Sequence, residues 1–142
     1  MENEKTIRQL SREISGEPYG RIFGFRLKDL QPGYALVEMD VTERLRNSLG
    51  MVHGGAIFSL IDQAFQAAGN SHGTVAVALN MNISYFRAPK FGDVLSAEAK
   101  EINLTRRTGS YVIEVRDQEG QLIANCQAMV YRKDNPLPFL NQ

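Results

Sequence analysis

Asp62 is the only formally charged side chain between Arg46 and Arg87. It stands inside an otherwise uncharged, mostly apolar segment from Gly54 to Gly69, GGAIFSLIDQAFQAAG. A solvated helix face would carry Lys and Glu at intervals, and a plain core helix would carry no carboxylate. A lone acid in this setting predicts a partly buried charge, and a buried charge needs a compensating reason. Immediately upstream lie Asn47 and the triplet His53-Gly54-Gly55. Two adjacent glycines at a helix start let another group approach the free backbone N–H donors, where the helix dipole also favours negative charge. In addition to a carbonyl, negative charge develops on the carbonyl oxygen, so this corner has the makings of an oxyanion hole. The same glycine pair also suits a tight loop-to-helix turn, and the pair alone does not separate the two readings. His53 reads as a structural hydrogen-bond partner or as an orienting group beside a carbonyl. Asn47 reads as a turn former or as a group that positions the loop, a water or a carbonyl. His72, after the helix, suits the C-terminal end of its dipole and is assigned no chemistry.

Spacing turns these residues into a prediction. Asp62 lies eight residues after Gly54, which is roughly 12 Å along a helix at about 1.5 Å per residue. An attacking atom must come within about 3–3.5 Å of the carbonyl carbon. One helix therefore cannot easily bring both its N-terminus and its Asp62 to one carbonyl. If the two groups act together, Asp62 must come from a second copy of the chain, with two equivalent sites at a two-fold dimer interface.

The elements that must hold these groups follow from periodicity. Ile7, Leu10 and Ile14 recur at helical spacing among charges, giving a short amphipathic helix at about 4–15 that Pro18 and Gly20 break. Ile22 to Leu30 reads as a turn and a first strand, and Pro32-Gly33 as a turn. Ala35, Val37, Met39 and Val41 alternate with Leu36, Glu38 and Asp40 as a strand with one drier face. After a loop from Thr42 to Val52 comes the one long helix, Gly54 to about Gly69. Its apolar residues nearly surround the axis and leave a narrow stripe of Ser59, Asp62, Gln63 and Gln66. A helix this apolar must be wrapped. Val75–Phe86, Val94–Leu104, Ser110–Arg116 and Leu122–Val130 read as strands, with a hairpin turn at Asp117–Gly120. Short turns between successive strands predict an antiparallel meander. The fold class is α+β: one long central helix covered by an antiparallel sheet of five or six strands.

The chain of 142 residues reads as a single domain, 1–142. Sixteen basic and sixteen acidic residues balance, which argues against bulk nucleic-acid binding. Cys126 is the single cysteine, so no internal disulfide forms. No apolar run reaches the roughly 20 residues that span a membrane. The N-terminus opens with acids and leads to no secretory h-region. The expectation is a soluble cytoplasmic protein with no nucleic-acid or membrane partner and no metal.

Asn47, Gly50, His53-Gly54-Gly55, Phe58-Ser59-Leu60-Ile61-Asp62 and Asn82-Ile83-Ser84-Tyr85-Phe86-Arg87 together closely resemble the hotdog-fold acyl-CoA thioesterases of the phenylacetate-degradation, PaaI-like type. The resemblance runs from about Gly33 to Tyr131. It implies a sheet wrapped around a central helix, and homodimers that often pair into homotetramers. It implies that Asp62 acts as general base or nucleophile on a thioester. The Gly54 N–H would polarise the carbonyl, with His53 and Asn47 supporting it. Gly55, Phe58 and Ser59 are the further candidates on the helix. It implies coenzyme A contacts near Asn80, Asn82, Tyr85, Arg87, Lys90, Arg106, Arg107 and Thr108, with CoA part of the substrate rather than a cofactor. Arginine and lysine at strand ends suit phosphates, and ordinary surface charge explains the same residues. The acyl group is expected beside Phe58, Leu60, Ile61 or Phe65, which core packing would also account for. Relatives of this type carry Ser or Thr where Ala78 stands. Asn80 or Gln66 are the candidates to replace that hydroxyl. A hotdog dehydratase or hydratase, and a non-catalytic acyl-CoA binding module, are the alternative functions.

Overall fold

The computed structural model of the chain describes residues 1–141; Gln142, the last residue of the expected domain, lies outside them. Helix α1 (Glu2–Gly16) buries Thr6, Leu10 and Ile14. Pro18 does more than break it: it opens a second short helix, α2 (Pro18–Phe23), where a missing N–H costs nothing, and Gly24 closes that helix in the left-handed conformation. Strands β1 (Arg26–Gln31) and β2 (Tyr34–Asp40) form a hairpin. A 3-10 turn (Glu43–Leu45) leads into the long helix α3 (Gly54–Asn70). Strands β3 (Thr74–Tyr85), β4 (Val94–Leu104), β5 (Thr108–Arg116) and β6 (Leu122–Pro136) complete the sheet. No helix among the described residues is long and apolar enough to cross a membrane.

The sheet has six strands in the order β1-β2-β4-β5-β6-β3, with antiparallel pairs throughout. This is the expected sheet around a helix, but not the expected meander. β3 pairs with β6 at the far edge and does not sit between β2 and β4. The physical reason is α3, which packs across the face formed by β2, β4, β5 and β3 and delivers the chain to the opposite edge. β6 runs past the expected Val130 to Pro136 because its last residues pair with the start of β3.

Alternation decides what the helix touches. Ala35, Val37, Met39, Leu95, Ala97, Ala99, Ile113, Val115, Ala124 and Cys126 are all fully buried on the inner face, against Leu60, Ile61, Ala64 and Ala68 of α3. Small alanines on both sides let helix and sheet approach closely. Phe65 meets the ring of Tyr111 edge-on, centroids 5.8 Å apart. Leu60, Ile61 and Phe65 are therefore core. Of the expected acyl-contacting residues only Phe58 is exposed.

An amide clamp joins α3 to β3. Asn70 Oδ1 accepts from the Ala76 N–H at 2.9 Å, and its Nδ2 donates to Ala76 O at 3.2 Å and Gln66 O at 2.9 Å. With Asn70 beside Ala76 at one end and Tyr85 reaching Gly54 at the other, α3 and β3 run antiparallel, side by side.

Candidate active site

The corner that starts α3 is built by the loop before it. Asn47 Oδ1 accepts from the N–H groups of Leu49 (2.9 Å) and Met51 (3.0 Å), and the Asn47 N–H donates to Met51 O at 2.7 Å. Gly50 supplies the positive φ of 78° that closes this turn. Arg46 is held by Glu43 and by Gly50 O at 2.9 Å, and its guanidinium lies over the Phe91 ring, 4.4 Å from the centroid. Asn47 is thus a loop organiser through its oxygen, and its Nδ2 has no acceptor among the described residues.

His53 caps α3. Its Nδ1 accepts from the Gly55 N–H at 2.9 Å, which places the proton of the neutral ring on Nε2, on the exposed side. The Gly55 N–H is consequently engaged within the chain. A Cβ at position 55 would stand 3.0 Å from His53 Nδ1, so a side chain there would crowd the cap. The Gly54 N–H has no acceptor among the described residues and lies at the positive end of the helix dipole. Tyr85 covers the other side of Gly54, its hydroxyl donating to Gly54 O at 3.4 Å.

Two turns along, Asp62 is exposed as a residue, while its carboxylate lines a hollow that partly desolvates it. The open strip of α3 is Gly55, Phe58, Asp62 and Gln66, not the expected Ser59, Asp62, Gln63 and Gln66. Ser59 and Gln63 are buried because the α1–α2 corner covers them. The Ser59 hydroxyl donates to Gly55 O at 2.9 Å and lies 2.8 Å from the Tyr19 hydroxyl, so its partners are within the chain. Glu17, Pro18, Tyr19, Ser59, Asp62, Gln63 and Gln66 enclose a hollow of about 480 Å³. Asp62 has no hydrogen bond or ion pair among the described residues. Desolvation in this hollow, and then the charge of Glu17, push its pKa up. Cys126 is fully buried, and desolvation pushes its thiol up to about 11, so it is a neutral core residue.

The residues expected to meet coenzyme A fall into two separated groups. Arg87 and Lys90 follow β3 on the crossover that carries Phe91 over Arg46, so they stand at the Gly54 end of the molecule. Arg106, Arg107 and Thr108 form the β4–β5 turn beside Tyr131, which pairs with Val77 near the start of β3. Along the 12-residue β3 these ends are roughly 30 Å apart at about 3.3 Å per residue, so one protomer does not gather both groups around one ligand. Arg106 and Arg107 also pair with Asp134, each at 3.2 Å. Thr108 bonds to Thr105 across the turn, 2.9 Å between the hydroxyls. Asn80 and Asn82 face the outer side of the sheet beside Gln127 and Met129, away from Asp62. Of the two candidates to replace the hydroxyl absent at Ala78, only Gln66 lines the Asp62 hollow. Glu17 and Tyr19 line the Asp62 hollow, a place that periodicity alone does not reveal. The usable signal is Pro18, read as the first residue of a helix rather than the end of one.

Comparison with known proteins finds relatives over most of the chain. The pattern of the Thioesterase superfamily matches residues 49–124. A putative esterase of Archaeoglobus fulgidus is 43% identical over 113 residues, covering 80% of this chain and 73% of that protein. The acyl-coenzyme A thioesterase PaaI of Escherichia coli is 36% identical over 104 residues, covering 73% of this chain and 74% of that protein. The structure of the E. coli PaaI protein from the phenylacetic acid degradation operon superposes with a TM-score of 0.90 at 29% identity, over 96% of this chain and 99% of that one.

Proposed function

Since the chain belongs to the thioesterase superfamily, as a PaaI-like hotdog protein, we propose that it hydrolyses acyl-CoA thioesters at a site shared between two copies. The observation that carries this reading is the pairing of an unoccupied Gly54 N–H at a helix start with an exposed, unpartnered Asp62 two turns further on. The thioester oxygen accepts from the Gly54 N–H, which stabilises the charge that develops as the carbonyl carbon is attacked. Asp62 of the second copy either takes a proton from the attacking water or attacks the carbon itself. The C–S bond breaks, the thiolate leaves as CoA and takes up a proton, and water supplies the oxygen of the carboxylic acid. His53, through Nε2, and Asn47, through Nδ2, orient the carbonyl.

Two-fold pairing of the β3 edges would build the shared site. β3 is a long edge strand that exposes Val77 and Leu79, and an open apolar edge is normally covered. Because α3 runs antiparallel to β3, an antiparallel β3–β3 contact sets the start of one α3 beside the later turns of the other. The same operation brings Arg87 and Lys90 of one copy towards Arg106 and Arg107 of the other, where together they can meet the phosphates of one coenzyme A.

The test is release of free thiol from a panel of acyl-CoA esters by the wild type and by Asp62→Asn. A loss of about 10²-fold or more in kcat supports the reading. Equal turnover removes Asp62 from the chemistry. An enoyl product would mark a dehydratase, and tight binding of acyl-CoA without turnover a binding module.

A further inference from the structure

The α1–α2 corner brings a second carboxylate into the hollow that contains Asp62. Glu17 is half-buried, and its Oε2 accepts from Gln66 Nε2 at 3.0 Å. Gln66 is one helical turn after Asp62, so this bond fixes Glu17 on the Asp62 side of α3. Tyr19, two residues on, is tied to Ser59 at 2.8 Å, which pins the corner from its other end. Gln63, only 5% exposed, lines the same hollow with no hydrogen-bond partner among the described residues. Glu17 has no ion pair among the described residues to neutralise it.

We propose that Glu17 is a positioning residue of the hydrolytic site, whose carboxylate, held by Gln66, sets a second negative charge in the same hollow as Asp62 and acts through it. The inference rests on the thioesterase reading of Asp62. The neighbouring groups single out Glu17. On α3 the hollow meets only neutral side chains, Ser59, Gln63 and Gln66, and on α2 the Tyr19 phenol. On β6 the one titratable group that senses Asp62 is the buried, neutral Cys126 thiol. Glu17 is the one charge that acts on Asp62 from the elements packed around it, in the direction that raises proton affinity. His53 of a second copy would join the site equally in every variant below. A base with higher proton affinity removes a proton from water more effectively, and it needs a higher pH to become ionised.

The experiment compares wild type, Glu17→Gln and Glu17→Asp as full chains. The Asp62 carboxyl is titrated by carbon NMR, and the acid limb of kcat/KM is measured on one acyl-CoA ester. In Glu17→Gln, which keeps the shape and the acceptor for Gln66, the Asp62 midpoint falls to lower pH. The acid limb moves down with it, and plateau turnover drops a few-fold. Glu17→Asp keeps the charge and restores the wild-type profile. Coincident Asp62 titrations in wild type and Glu17→Gln overturn the proposal, as does a shifted titration with an unmoved acid limb. If no acyl-CoA ester is turned over even by the wild type, the hydrolytic reading fails, and the proposal fails with it. If turnover depends on Asp62 but the titrations coincide, only the role of Glu17 falls.

Discussion

The Gly54 N–H can be deleted with little disturbance to its helix. His53 holds φ −67° and ψ 130°, the region a residue before proline prefers, and proline is well tolerated at the first helical position. A Cβ at 54 meets only the Tyr85 ring, no closer than 3.7 Å. Gly54→Pro is therefore expected to fold with wild-type far-UV dichroism and to lose about 10²–10³-fold in kcat, the usual effect of removing one oxyanion donor. Asp62 is expected to trade stability for chemistry. The folded chain holds its proton to a higher pH than the unfolded chain, by desolvation first and Glu17 second. Between the two pKa values unfolding releases a proton, so stability falls as pH rises through that window and stays lower above it. Asp62→Asn should raise the urea midpoint at pH 7 and leave it unchanged at pH 3, where the acid is protonated in both states. An equal shift at both pH values would trace the effect to packing. His53, Gly54 and Asp62 are all legible as candidates from type and spacing. The occupation of the Gly55 N–H by His53 Nδ1 is not, because it depends on a ring orientation that only the folded loop sets.

At the scale of elements, the junction between α3 and β3 keeps the site in register. Asn70 satisfies both backbone groups of Ala76, and all three bonds of its amide are buried or half-buried. Asn70→Ala leaves a donor and an acceptor unpaired, an expected loss of about 2–4 kcal/mol in urea unfolding. Asn70→Asp should recover only part of it, because it keeps the acceptor and loses the donor. α3 itself, and the alternation of β2, β5 and the first part of β6, are legible because each buries one apolar face with a clear period. The α1–α2 corner is not. Glu17, Pro18 and Tyr19 have no periodic signal, and their value comes from lying over Ser59 and Gln66, about 40 and 49 residues away.

At the scale of the molecule, the proposed site requires two copies to pair. Val77→Lys with Leu79→Lys places charge on the exposed β3 edge, 42% and 53% exposed at those positions. The variant is expected to run as a folded monomer by light scattering and to lose turnover. Dimers of the wild type that pair again into tetramers would appear in the same measurement. A mixing experiment addresses the shared site directly. In a heterodimer of Gly54→Pro and Asp62→Asn, one site carries both lesions and the other carries neither. Random reassortment of equal amounts should therefore restore about a quarter of wild-type activity. No recovery, with heterodimers confirmed by native mass spectrometry, would place Gly54 and Asp62 of one chain in the same site.

The amino-acid sequence by itself determines the long apolar helix, the lone acid on it, the glycine pair at its start and the strands that must cover it. These follow from local period and residue type, and eight residues of helical rise already separate Gly54 from Asp62. Tertiary structure decides what no period encodes. It sends β3 to the far edge of the sheet, because α3 carries the chain across the sheet face. It also sets Arg87 and Arg106 at opposite ends of one protomer. It opens Asp62 to the surface while folding Ser59 and Gln63 under Tyr19 and Glu17, because contacts between distant residues, not spacing along one helix, choose which side of α3 is covered.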